Sequence, residues 1–264
     1  MKQMQKQSIL IVGCGNMGRA LLDGWLAAGV VAPEQVTVAD PLAAVPAGVA
    51  RVDAIPAGPF DLIVLAIKPQ QFDAVAPALA AASAGGVLLS ILAGVSAERL
   101  AGAAPAARVA RIMANLAAGF GLSPVALYAG PDLTAADRAL LERLGEANGQ
   151  VEWLSDESLL HAVTALGGSG PGFVYRLLAA FADGGAGLGL TAEAAASMAL
   201  TMVRGATELA ARSGEDFATL AARVASPGGT TLAGLGAMEQ GGIDALIAAT
   251  LRAARNRSVE LALE

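Results

Sequence analysis

The chain has 264 residues, enough for two domains of ordinary size, each with its own buried core. A formal net charge of −6 and a pI of about 4.9 argue against nucleic acid and anionic membrane as partners and leave a small ligand as the better fit. The single cysteine, Cys14, excludes an internal disulfide and suits a reducing compartment, read here as the cytoplasm. Mean hydropathy is high, at +0.58, and Ala74 to Ala97 carries no charge. Pro77, Gly85, Gly86 and Gly94 interrupt that run, so no membrane span is expected. The start, Met1 to Gln7, has two lysines but too short an apolar stretch behind it for a signal peptide.

The apolar run Ser8-Ile9-Leu10-Ile11-Val12 leads into Gly13-Cys14-Gly15-Asn16-Met17-Gly18 and then a helical pattern from Arg19 to Ala28. A Gly-x-Gly-x-x-Gly turn between strand and helix fits a dinucleotide diphosphate held on free N–H groups at a helix start. Gly13 would make the tight turn, Gly15 would let backbone approach the phosphates, and Gly18 would let the helix press on the strand. The alternative is a tight turn that binds nothing. A second run, Val36 to Ala39, ends at Asp40, where a carboxylate suits the adenosine ribose hydroxyls and disfavours the extra phosphate of NADPH; Asp40 before Pro41 equally suits a plain turn. Cys14 inside the glycine turn reads as a small residue tolerated there rather than a redox centre.

Further β-like runs follow at Leu62 to Ala66, Val87 to Ile91, Arg108 to Met113, Val125 to Tyr128 and Val151 to Leu154, alternating with alanine-rich helical stretches. That alternation predicts a parallel sheet covered by helices on both faces, an α/β doubly wound domain over residues 1–154. No ordinary crossover helix is expected in Pro41 to Pro59. Thr134 with Asp137 predicts a capping box opening a helix from Ala135 to Glu146.

From 155 to 264 the pattern is all-helical. Helices are predicted from Asp156 to Leu166, Pro171 to about Ala186, Ala192 to Ala211, Thr231 to Glu239 and Ile243 onward. Several are apolar around most of their circumference, as in Ala194 to Val203, more than about 110 residues can bury internally. A homodimer through this half is the expected solution, the alternative being an exposed apolar surface. Within it, Ser226-Pro227-Gly228-Gly229-Thr230-Thr231 runs directly into a helix, so the N–H groups of Gly228 to Thr231 can converge on a carboxylate; the plain alternative is an N-cap by Thr230 or Thr231.

The turn Gly13 to Gly18, Ala66-Ile67-Lys68-Pro69-Gln70, Ser90 to Val95, Gly168-Ser169-Gly170-Pro171 and Ser226 to Thr231 with Leu232 to Leu235 occur in one order. In that order and spacing the chain resembles the Δ1-pyrroline-5-carboxylate reductases nearly end to end. The resemblance implies an N-terminal Rossmann domain, an all-α C-terminal dimerisation domain, sometimes a larger ring, and reduction of the C=N bond of 1-pyrroline-5-carboxylate to L-proline with NAD(P)H, NADH being favoured by Asp40. It further implies that Gly13, Gly15, Asn16, Met17, Gly18, Asp40, Ala66, Ile67, Lys68, Pro69, Ala93, Gly94 and Asn115 hold the coenzyme. Ser226, Gly228, Gly229 and Thr230 would hold the carboxylate of the cyclic imine, with the Thr231 hydroxyl facing its nitrogen as the catalytic group. No metal is implied.

The chain departs from the family pattern at Ala114, Leu116 and Ala117 around Asn115, at Gly167, where serine is frequent, and at Phe173, where tyrosine is. These changes touch the nicotinamide side and leave the exact imine open. His161, the only histidine, lies in an apolar stretch and reads as packed rather than catalytic. A β-hydroxyacid dehydrogenase would use a lysine in the helical half, and no lysine follows Lys68. A nicotinamide-binding sensor without catalysis is the third reading.

Overall fold

The computed structural model describes residues 7–83 and 85–262, so the reading of the chain start falls largely outside the described residues. Parallel strands buried on both faces are near-continuous apolar runs, and β1 (Ile9–Val12), β2 (Val36–Ala39), β4 (Leu62–Leu65) and β5 (Val87–Ser90) are of that kind. Ile9 and Ile11 face Leu21, Leu22 and Trp25 of α1 (Asn16–Ala27), together with Leu140, Leu141 and Leu144 of α4 (Ala135–Asn148). Leu10 and Val12 face the opposite layer, with Phe72 and Leu79 of α2 (Phe72–Ala82) and Leu100 of α3 (Ala97–Ala103). The sheet is therefore the middle of three layers.

Its eight strands lie in the order β3-β2-β1-β4-β5-β6-β7-β8, with β3 (Ala50–Val52), β6 (Arg108–Met113), β7 (Ser123–Ala129) and β8 (Gly149–Leu154) completing it. Strands β1 to β6 run parallel. The expectation of a parallel sheet throughout is corrected at β7, which pairs antiparallel to β6 with Arg111 opposite Tyr128. The link between Met113 and Ser123 holds only a 3-10 turn, Leu116–Phe120, and is shorter than the roughly twelve residues a parallel crossover needs. Strand β8 then follows β7 in parallel through α4. The sheet's two margins are β3, with Arg51 exposed, and β8, with Gln150 and Glu152 exposed.

Helix α1 carries the glycine turn and is fastened to α4. Buried Trp25 donates from Nε1 to the Leu144 carbonyl at 2.9 Å, and buried Asn148 donates to the Leu21 and Ala118 carbonyls at 3.0 and 3.2 Å. The Thr134 box is present: the Thr134 hydroxyl oxygen accepts from the Asp137 amide, and Asp137 accepts from the Thr134 amide at 2.9 Å. Arg108 donates two bonds to the same carboxylate, at 2.6 and 2.9 Å. Burial pushes the Asp137 carboxyl up, but the Arg108 guanidinium and the Thr134 donors outweigh it and bring it down to about 2.

The rest is helical: α5 (Leu159–Val163), a π turn (Thr164–Gly168), α6 (Gly170–Gly187), α7 (Ala192–Ser213), α8 (Phe217–Val224), α9 (Thr230–Gln240) and α10 (Ile243–Leu261). The helix expected from Asp156 starts later, because the Asp156 carboxylate accepts from the Ser158 amide in a turn ahead of it. Contacts divide the chain into a unit of residues 1–168 with 254–264, and a unit of residues 169–253. The division thus falls at Gly168 and Ala254, where a boundary after Leu154 was expected. Among the described residues no helix is long and apolar enough to cross a membrane. Within the helical unit α6, α8 and α9 bury no residue, and Tyr175, Phe181, Met198 and Leu200 are exposed.

Candidate functional site

The glycine turn in the sheet-bearing unit has three glycines with three different surroundings. Gly13 has φ +82°, and a Cβ there would sit 2.7 Å from Ile67 Cγ2 and 2.8 Å from the Ala66 carbonyl oxygen. A Cβ on buried Gly18 would lie 2.8 Å from the Gly13 carbonyl oxygen and 3.1 Å from Ala66 Cβ, so α1 presses on the end of β4. Gly15 is exposed, has φ −67°, and its Cβ position has no atom within 4 Å. It is the N-cap of α1 without any capping side chain, and the first turn holds no acid. The N–H groups of Asn16, Met17 and Gly18 therefore precede the first helical bond, Arg19 N–H to Gly15 O, at the positive end of the helix.

Asp40 holds this turn in place. Its carboxylate accepts from the amides of Cys14 at 2.9 Å, Leu42 at 2.9 Å and Ala43 at 3.2 Å. Burial raises the carboxyl's pKa, and these three amides with the Arg51 guanidinium lower it by more, so it is held below the ordinary aspartate range and is charged at neutral pH. Asp40 is therefore a turn residue, as the plain alternative had it, and carries a negative charge beside the glycine turn. The Cys14 thiol is buried and pushed up by that burial, in keeping with a packed rather than reactive residue.

A cavity of about 570 Å³ opens beside the turn at the carboxyl ends of β1, β2 and β4, where open α/β sheets take their ligands. Gly13, Gly15, Asp40, Ala66, Ile67 and Lys68 all line it. Pro69 opens the 3-10 turn Pro69–Gln71, in which Gln71 Oε1 accepts from the Lys68 amide at 3.2 Å. Sequence reasoning missed Asp53 and Gln71, which also line the cavity; Asp53 follows a three-residue strand with no periodic signal. Ala93, Gly94 and Asn115 are not among its walls. Asn115 spends its side chain internally, accepting from the Ala117 amide at 2.9 Å and donating to the Gly167 carbonyl at 2.8 Å. Among the described residues no group of three or more His, Cys, Asp or Glu is placed to hold a metal.

In the helical unit, Gly228 has φ +70° and Gly229 caps α9 without a side-chain cap. The Gly229 amide bonds back to the Ser226 carbonyl at 2.9 Å, and a Cβ on Gly229 would lie 2.4 Å from Ser226 Oγ. Capping by Thr230 or Thr231, the plain alternative, does not occur. The Thr230, Thr231 and Leu232 amides precede the first helical bond, from Ala233 to Gly229, and Ser226, Thr230 and Thr231 are exposed. The Thr230, Thr231 and Leu232 amides are thus uncommitted, whereas the Gly229 amide, expected among the ligand donors, is spent within the loop.

The sequence matches two family models: pyrroline-5-carboxylate reductase dimerisation over residues 157–261, and NADP oxidoreductase coenzyme F420-dependent over residues 8–94. A pyrroline-5-carboxylate reductase of Pseudomonas aeruginosa is 36% identical, over 98% of each chain. The chain belongs to the pyrroline-5-carboxylate reductase family. A family member from Synechocystis is 35% identical over 95% of this chain and 97% of its own. The solved pyrroline-5-carboxylate reductase of Coxiella burnetii superposes with a TM-score of 0.89 at 27% identity, covering 97% and 99% of the two chains. At Gly167, one of the departures noted in the sequence, a side chain would be crowded. A Cβ there would meet Pro124 Cγ at 2.9 Å and Met113 Cε at 3.0 Å.

Proposed function

We infer that this protein reduces the C=N bond of 1-pyrroline-5-carboxylate to L-proline with NAD(P)H. The observation that carries the reading is kinship with the Pseudomonas aeruginosa reductase over 98% of both chains, and the two bare helix starts give it a physical basis. The α1 amides hold the coenzyme diphosphate, with Asn16, Met17 and Gly18 as donors and Gly15 leaving the space that a Cβ would fill. When bound, the reduced nicotinamide supplies the hydride for the imine carbon. Ser226, Gly228 and Thr230 hold the substrate carboxylate, with Gly229 leaving room beside them, and the Thr231 hydroxyl faces the ring nitrogen, where the proton ends. An iminium carbon is already electrophilic, so orientation and one donor suffice, and no strong acid is required. His161 is not used; burial and the charges of Arg111 and Arg255 lower its pKa and keep it neutral.

The coenzyme preference is NADH, since the charged Asp40 lines the cavity and would repel a 2′-phosphate. The protein works as a homodimer, the unit from which a larger ring would be built, with the apolar faces of α6 and α7 covered by the partner. Its lone buried cysteine suits the cytoplasm.

One spectrophotometric screen tests the reading. NADH and NADPH oxidation is followed with pyrroline-5-carboxylate, pyrroline-2-carboxylate and piperideine carboxylates. Fast oxidation with the first is the expected result. Tight NADH binding without oxidation by any imine would make the protein a sensor. Sizing on dilution tests the assembly, and a stable monomer would contradict it.

A further inference from the structure

One ion pair in the sheet-bearing unit has no part in the chemistry above. Arg111, on β6, has a side chain 12% exposed and that of Glu157 is 27% exposed. Arg111 donates from one guanidinium nitrogen to Glu157 Oε1 and from another to the Leu92 carbonyl oxygen, both at 2.8 Å. The same Glu157 oxygen accepts from the Ala97 amide at 2.7 Å. Two side chains thus fasten both ends of the turn between β5 and α3, residues 92 to 97. Leu92 and Val95 are buried within that turn, while Ala93 is exposed at its tip. Gly94 has φ +76°, and a Cβ there would lie 2.9 Å from the Leu261 carbonyl oxygen, so the end of α10 backs the turn.

Arg111 Nε is buried with no acceptor. An incompletely paired buried guanidinium is a poor way to fill space, and an apolar pair of like volume would serve packing as well. What the pair uniquely does is fix the 92–97 turn. That turn leaves the carboxyl end of β5, and the strand order runs β2-β1-β4-β5. With Asp40 after β2 and the diphosphate loop after β1, a dinucleotide lying across this edge brings its second half over β4 and β5.

We propose that Arg111 and Glu157 are positioning residues that hold the Leu92–Ala97 turn against the nicotinamide half of the coenzyme. The proposal rests on the coenzyme reading above. The test compares binding of ADP-ribose, which fills only the adenosine and diphosphate portion, with binding of NADH, by calorimetry on the full chain. Arg111→Met and Glu157→Ala are expected to weaken NADH about tenfold while leaving ADP-ribose within about twofold of wild type. In steady-state assays KM for NADH should rise more than kcat falls. Glu157→Gln keeps an oxygen for both donors and should restore NADH binding. Equal loss of both ligands, or no loss of NADH in either disruptive variant, would overturn the proposal. Should Arg111→Met not fold, Glu157→Ala against Glu157→Gln decides it. A wild-type protein binding neither ligand would instead overturn the coenzyme reading.

Discussion

Two glycines of one turn should respond in opposite ways to the same added methyl group. Gly13→Ala forces an L residue to φ +82°, at roughly 1–2 kcal/mol. The methyl also meets the Ala66 backbone at 2.8 Å, which cannot retreat without moving β4, and such overpacking typically adds about 1–3 kcal/mol. The expected loss of stability is therefore about 2–5 kcal/mol. Gly15→Ala places its methyl in open space at φ −67°. Lower entropy of the unfolded chain gains about 0.4–1 kcal/mol, and the poorer N-cap loses a similar amount, so the net change stays within about 1 kcal/mol. The same methyl occupies the place where phosphate must approach the α1 amides, and NADH affinity should fall at least about tenfold. Urea unfolding and NADH fluorescence titration read the two effects separately. A Gly15→Ala protein that binds NADH as wild type does would refute the phosphate assignment, and a Gly13→Ala protein of wild-type stability would refute the steric argument.

Asp40→Asn replaces one acceptor oxygen with a donor facing backbone N–H groups, so NADH binding should weaken about tenfold or more, and unchanged affinity would remove Asp40 from the loop's support. Asp40→Ser, which removes the charge, should raise the NADPH to NADH ratio in kcat/KM; a constant ratio would show that the carboxylate does not meet the ribose. Thr231→Ala should lower kcat with little change in NADH affinity, and wild-type turnover would exclude the hydroxyl from the mechanism. Asp137 is held at about 2 against an ordinary 3.8, which corresponds to about 2 kcal/mol of stability. Because the folded-state value is the lower one, that contribution is complete above 3.8 and is lost as pH falls through about 2. The gap between wild type and Asp137→Asn in urea unfolding should close over that interval, and a gap independent of pH would contradict the pairing.

Period and punctuation carried most of the fold. Ile9 to Val12 and Leu62 to Leu65 are apolar at every position because both faces are covered, and Thr134 with Asp137 marks the start of α4. Strand β3 escaped because Ala50-Arg51-Val52 has neither length nor alternation. Helix α8 has a local signal in its cap, Asp216, which accepts from the Thr219 amide just ahead of Phe217. The reversal at β7 depends on the length of one connection, which composition does not report. Within the site, Gly13 and Gly18 were readable because backbone shape needs them, while Ala66 to Lys68 came only with the family resemblance. The second task of Asp40, and the Arg111 to Glu157 pair spanning 46 positions of sequence, depend on tertiary proximity that no local pattern encodes.

The sheet's outer strands have a consequence for aggregation. A neighbouring chain adding its own strand beside β3 would find only three residues to pair with, one of them the charged Arg51, and beside β8 it would crowd Gln150 and Glu152. Short, charged margins of this kind block open-ended cross-chain hydrogen bonding. The protein is thereby guarded against fibre growth at high concentration, and its greasy helices are left free to choose a single, closed mate.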